Sequence, residues 1–127
     1  MGKTSSMTKS KDKVRRVLVL EDEPFIAMMI EEELEALDIH VVGPVNNLKS
    51  AITLAANSDF DGALLDLNIN GDYATEVADK LRVRGVPFIF VTGYERPGGL
   101  RYSDVAILRK PFTQTELRMA LIRMWER

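Results

Sequence analysis

Short, nearly unbroken apolar runs alternate along this chain with longer segments in which apolar residues recur every three or four positions. The runs are Val17-Leu18-Val19-Leu20, His40-Val41-Val42-Gly43, Ala63-Leu64-Leu65, Phe88-Ile89-Phe90-Val91 and Ala106-Ile107-Leu108. A strand with one wet face alternates apolar and polar residues, so continuous runs predict strands covered on both faces. Between them, Ile26, Ile30, Leu34 and Leu37 follow Pro24 at near-helical spacing, and Pro at a first helical position gives up only an N–H that has no intrahelical partner. Asn47 is a candidate N-cap for a second helix that presents Leu48, Ile52 and Ala55 on one face. A third helix is expected from about Asp72, with Tyr73, Val77 and Leu81 inward and Gly85 before Pro87 at its end. Thr113-Gln114-Thr115-Glu116 reads as a capping box that opens a last helix with Leu117, Ala120, Leu121 and Met124 as its stripe. Residues 95–104 are the weak place. Pro97-Gly98-Gly99 limits any helix there to about two turns, because Pro and Gly cost roughly 3 and 1 kcal/mol in a helix interior.

This alternation predicts an α/β fold of (βα)5 type, a three-layer sandwich with helices on both faces of a parallel five-stranded sheet. Right-handed crossovers make the flavodoxin-like strand order 2-1-3-4-5 the natural closure. The length of 127 residues supplies one core. The chain has no cysteine, which excludes a disulfide framework and a thiolate metal site. No apolar run approaches the roughly 20 residues needed to cross a bilayer, and a cytoplasmic protein without membrane attachment is expected. Charge divides the chain. Residues 1–16 carry six Lys/Arg against one Asp, and residues 17–127 carry eleven against eighteen Asp/Glu, a balance of +5 and −7. The acidic part argues against direct nucleic-acid binding, which needs Lys/Arg to neutralise phosphates. Residues 1–13 are expected as a disordered basic tail and residues 14–127 as one domain. A myristoylation-like match at Met1-Gly2-Lys3-Thr4-Ser5-Ser6 and a P-loop-like match at Gly2-Lys3-Thr4 have no supporting context.

In open parallel sheets, ligands bind beyond the carboxyl ends of the strands, where strand order reverses. The first strand ends in Glu21-Asp22, the third in Asp66, the fourth in Thr92, and Lys110 follows the fifth. Each has an ordinary alternative: helix-terminal acids, a strand threonine, a snorkelling lysine. Asp66 is the hardest to explain so, because a carboxylate at the end of a buried run is costly unless paired. Three gathered carboxylates repel one another, and a hard divalent cation relieves that. Mg²⁺ accepts one or two carboxylates plus waters and a phosphoryl oxygen, so Asp22 and Asp66 would bind it directly and Glu21 through water. The set suits in-line phosphoryl transfer onto Asp66, with Lys110 meeting a phosphoryl oxygen.

The segments Val17-Leu18-Val19-Leu20-Glu21-Asp22-Glu23-Pro24, Leu64-Leu65-Asp66-Leu67-Asn68, Val91-Thr92-Gly93 and Arg109-Lys110-Pro111-Phe112 resemble the four hallmarks of response-regulator receiver domains of two-component signalling. The resemblance covers residues 14–127. It implies that Asp66 accepts a phosphoryl group from a histidine kinase or phosphotransfer protein, and that Thr92 and Lys110 contact that group. It also implies a Mg²⁺ site made of Asp22, Asp66 and the backbone carbonyl of Asn68, and a small residue at Gly93. Phe90-Val91-Thr92-Gly93-Tyr94 further resembles the FAT GUY subgroup, with Val91 in place of Ala. One departure from many receivers is Ile107, where an aromatic switch residue often stands three residues before the lysine. The response is therefore expected to be read by Thr92, Tyr94 and residues 95–104, ordering on phosphorylation to expose a partner surface anchored by Tyr94.

Two other function classes are weaker. A haloacid-dehalogenase-like phosphohydrolase needs a second Asp two residues after the nucleophile, and Asn68 stands there. An FMN carrier would need an anion-binding loop after the first strand, where Glu21-Asp22-Glu23 repels anions. A degenerate receiver would not keep the whole set. With the domain filling residues 14–127, output is expected to pass to a downstream protein target, and the chain is expected to be a signalling phosphoacceptor and not an enzyme.

Overall fold

The computed structural model describes residues 14–93 and 102–126. The tail expected at residues 1–13, Tyr94 and the expectation for residues 95–101 lie outside the described residues. The elements are β1 (Arg16–Leu20), α1 (Pro24–Ala36), β2 (His40–Val45), α2 (Leu48–Asn57), β3 (Gly62–Asp66), β4 (Asn68–Ile69), β5 (Asp72–Tyr73), α3 (Thr75–Val83), β6 (Phe88–Thr92), β7 (Ile107–Arg109) and α4 (Gln114–Trp125). The main sheet is parallel, in the order β2-β1-β3-β6-β7, which is the expected 2-1-3-4-5 arrangement once the small β4–β5 hairpin is set apart.

Side chains leave a strand alternately on its two faces, and both faces of this sheet are covered. Leu18, Leu20, Ala63, Leu65 and Phe90 meet Ala51 and Ala55 of α2 and Val77, Ala78 and Leu81 of α3. Val17, Val19, Leu64, Ile89 and Val91 meet Ile30 and Leu34 of α1 and Leu117, Leu121 and Met124 of α4. The expected caps are present. Pro24 opens α1, the Asn47 side chain accepts from Ser50 N at 2.8 Å, and Thr113 and Glu116 form the reciprocal capping box. β2 runs two residues further than expected, to Val45, past a register shift in its pairing with β1.

The third helix begins later than its periodicity suggests. Asp72 and Tyr73 pair antiparallel with Ile69 and Asn68, so Tyr73 is half-exposed and not inward-facing, and α3 starts at Thr75. The physical reason is the Asn70-Gly71 turn, whose φ angles of 53° and 92° suit a two-residue hairpin. Leu37 also leaves the apolar stripe: it is the C-cap of α1 and exposed. No helix among the described residues is long and apolar enough to cross a membrane.

Candidate functional site

The parallel sheet delivers its strand ends to one edge, where a cleft of about 450 Å³ is lined by Asp22, Asp66, Asn68, Thr92, Gly93 and Lys110, among others. Asp66 is the last residue of the wholly buried β3 and Thr92 the last of β6; both side chains are buried. Lys110 follows β7 by one residue, and its main-chain amide donates to the Thr92 carbonyl at 2.8 Å, which fixes where its side chain departs. A Cβ on Gly93 would meet nothing within 4 Å, so any larger residue there would project into open space beside the cleft.

Lys110 is the cationic centre. Its Nζ donates to Glu23 Oε2 at 2.8 Å, Glu21 Oε2 at 3.0 Å and Asp66 Oδ2 at 3.2 Å. Asp66 Oδ1 accepts from Asn68 N at 3.2 Å, and Glu21 Oε2 also accepts from Glu23 N at 3.1 Å. Glu23 is a member that sequence reasoning missed; only its adjacency to the acidic pair pointed to it. The expected residues Glu21, Asp22, Asp66, Asn68, Thr92 and Lys110 are brought together. Ile107 is not: it packs, partly buried, against the core on the α2–α3 face.

One ammonium group pairs with three carboxylates, Glu21, Glu23 and Asp66, and the electrostatics follow from that shortage. Burial raises the Glu21 carboxyl from its usual 4.5 to about 7, and the neighbouring Asp66 charge adds to this, against the lowering effect of Lys110. Burial also raises Asp66, while hydrogen bonds from Glu21 and Lys110 oppose the rise. Both carboxyl groups are thus raised, burial being the largest cause for each. Burial alone would lower Lys110, but its hydrogen bonds to Glu23 and Glu21 outweigh that and raise it above the ordinary lysine value.

A carboxyl that holds its proton more tightly when folded stabilises the fold fully below its unfolded pKa, and that contribution is lost as pH rises through the folded value. In the presence of a chelator, thermal stability is therefore expected to fall between about pH 5 and pH 8 as Glu21 ionises near 7. Glu21→Gln should flatten this slope. Melting curves across that range check it, and a wild-type slope that Glu21→Gln leaves unchanged would contradict the assignment.

The residues fit a hard divalent cation. Glu21, Asp22, Glu23 and Asp66 each offer a carboxylate oxygen, all within 4.8 Å of one another. Glu21 Oε1 is also buried without a hydrogen-bond partner, a cost that added positive charge would relieve. Mg²⁺ takes oxygen ligands, and one or two of these carboxylates completed by waters would suit it.

Comparison with known proteins gives the same family from sequence and from structure. The phyllosphere-induced regulator PhyR of Methylorubrum extorquens is 33% identical over 106 residues, which are 80% of this chain and 40% of that protein. The chain spans less than half the length of the curated relatives it matches. The solution structure of SdrG from Sphingomonas melonis Fr1 superposes with a TM-score of 0.77 at 38% identity, covering 87% of this chain and 96% of that one. The receiver domain of a sensor histidine kinase from Pseudomonas aeruginosa, with a magnesium ion coordinated in its active site cleft, superposes with a TM-score of 0.73. It is 25% identical, with 88% of this chain and 98% of that chain covered. The response regulator receiver domain family matches residues 17–122, and the chain belongs to that family.

Proposed function

We propose that the chain receives a phosphoryl group on Asp66, from a histidine kinase or a phosphotransfer protein in a Mg²⁺-dependent reaction, and passes the signal to a downstream protein. Receivers are signalling phosphoacceptors and not enzymes that turn over an external substrate. The observation that carries the reading is the convergence on Asp66 of one lysine, the acidic cluster and the Thr92–Gly93 strand end, all bordering one open cleft.

The chemistry asked of these residues is positioning and charge neutralisation. An Asp66 carboxylate oxygen attacks phosphorus as the bond from phosphorus to the donor breaks, and the donor leaves with that electron pair. Asn68 N and Lys110 Nζ already hold the two Asp66 oxygens, so the nucleophile is oriented before a donor arrives. Lys110 stays charged throughout and can follow the developing charge onto a phosphoryl oxygen. The Thr92 hydroxyl and the open space at Gly93 leave room for the remaining oxygens. Asp22 borders the cleft and Asp66 ends β3 within it, which suits both as direct cation ligands; Glu21 is buried and does not line the cleft, which suits an indirect role. Bound Mg²⁺ would neutralise the carboxylates and the transferring group. Incubation with acetyl phosphate and Mg²⁺, read by intact mass, tests the proposal: the expected result is the gain of one phosphoryl group, dependent on Mg²⁺. No gain from acetyl phosphate or from any histidine phosphodonor would overturn it.

A further inference from the structure

We propose that the β4–β5 hairpin is a positioning strap for Asp22, acting through the main-chain amide of Asn70; this rests on Asp22 being a cation ligand. The hairpin is rooted on both sides of the site. Ile69 is fully buried in the core, Leu67 N donates to Val91 O at 2.9 Å, and Ala74 N donates to Leu67 O at 2.8 Å. Its turn is fixed by the left-handed conformations of Asn70 and Gly71 and by Asn68 Oδ1, which accepts from Gly71 N at 3.0 Å. So held, the tip folds back over the end of β1, and Asn70 N donates to Asp22 Oδ2 at 3.2 Å across 48 residues of sequence.

The consequence lies in how a carboxylate binds a cation. Asp22 stands outside the Lys110 hydrogen bonds that hold Glu21, Glu23 and Asp66, so the Asn70 amide orients it. With one oxygen engaged, the other is left for the metal, and the side chain no longer has to be ordered when the metal arrives. Hydrogen bonds of this kind to ligating groups commonly change metal affinity 10–100-fold. The strap therefore links the residue type at position 70, which touches the ion through nothing of its own, to the strength of ion binding.

The relevant feature of position 70 is its backbone. Asn70→Gly keeps both the N–H and access to positive φ, whereas Asn70→Val strongly disfavours φ near 53°. Mg²⁺ titration of the unphosphorylated protein by NMR should give near wild-type affinity for Asn70→Gly and a 10–100-fold loss for Asn70→Val. Should Asn70→Val fail to fold, Gly71→Ala serves: its Cβ meets nothing within 4 Å but φ is 92°, and a smaller loss in the same direction is expected. In metal-free protein, Asp22→Ala should speed hydrogen exchange at the residue-70 amide. The proposal is overturned by unchanged exchange in Asp22→Ala, by wild-type affinity in Asn70→Val, or by equal losses in Asn70→Gly and Asn70→Val, which would place the effect in the side chain. Absence of Mg²⁺ uptake by the wild type defeats the cation reading itself, a result separate from these.

Discussion

Asp66→Asn should carry no phosphoryl group after acetyl phosphate treatment under conditions that modify the wild type fully. The substitution is nearly isosteric, and its side-chain oxygen can still accept from the Asn68 amide, so the fold is expected to persist. What it removes is the anionic nucleophile, which an amide cannot replace. It also removes one of the three carboxylates that pair with the Lys110 ammonium group. In metal-free protein this relieves repulsion, and Glu21, whose proton affinity owes part of its rise to the Asp66 charge, should ionise at lower pH. The variant is therefore expected to melt higher than wild type without metal and to gain less from added Mg²⁺. Intact mass and paired melting curves measure both effects. A phosphoryl group that survives in Asp66→Asn would move the acceptor to another carboxylate of the cluster.

The strands and the main site positions were legible because both faces of a parallel sheet are dry. Runs such as Ala63-Leu64-Leu65 have no polar alternation to confuse them, and a carboxylate at the end of one, as at Asp66, stands out. Order along the chain then places Glu21-Asp22, Asp66, Thr92 and Lys110 on one edge through the strand order alone. Glu23 was not legible, because its engagement with Lys110 spans 87 residues and depends on the path of the chain between β1 and α1. The hairpin was misread for a different reason. Tyr73, Val77 and Leu81 recur every four residues, and this period outweighed the Asn70-Gly71 turn signal that stands between Ile69 and Tyr73. Two-residue strands leave no periodicity of their own to correct the error.

Tyr102 was the least legible residue of all, and its removal should have the largest effect on stability. It lies among polar residues, Arg101 before it and Ser103-Asp104 after it, where pattern predicts an exposed loop. Instead its ring is 1% exposed, in edge-on contact with Phe90 and Phe88 at centroid distances of 5.5 and 6.2 Å. Arg82 of α3 lies 4.9 Å over the ring and pairs with Asp104 at 2.8 Å, while the phenol donates to Asp79 and also lies near the Thr75 carbonyl, both on α3. The side chain thus joins β6, which ends in Thr92, to the helix that follows Asp66 and the hairpin. Tyr102→Ala empties a buried aromatic site, and losses of about 3–5 kcal/mol are typical for such truncations. For a domain of this size that is a fall of more than about 10 °C in melting temperature. Tyr102→Phe keeps the ring contacts and gives up only the hydroxyl, at about 1 kcal/mol, since Asp79 is partly exposed and water can replace the phenol. The two variants separate packing from hydrogen bonding. If the ring is what supports β6, amide shifts at Phe90 and Thr92 should change in Tyr102→Ala and stay close to wild type in Tyr102→Phe. Equal destabilisation by both substitutions would instead assign the role to the hydroxyl and its hold on α3.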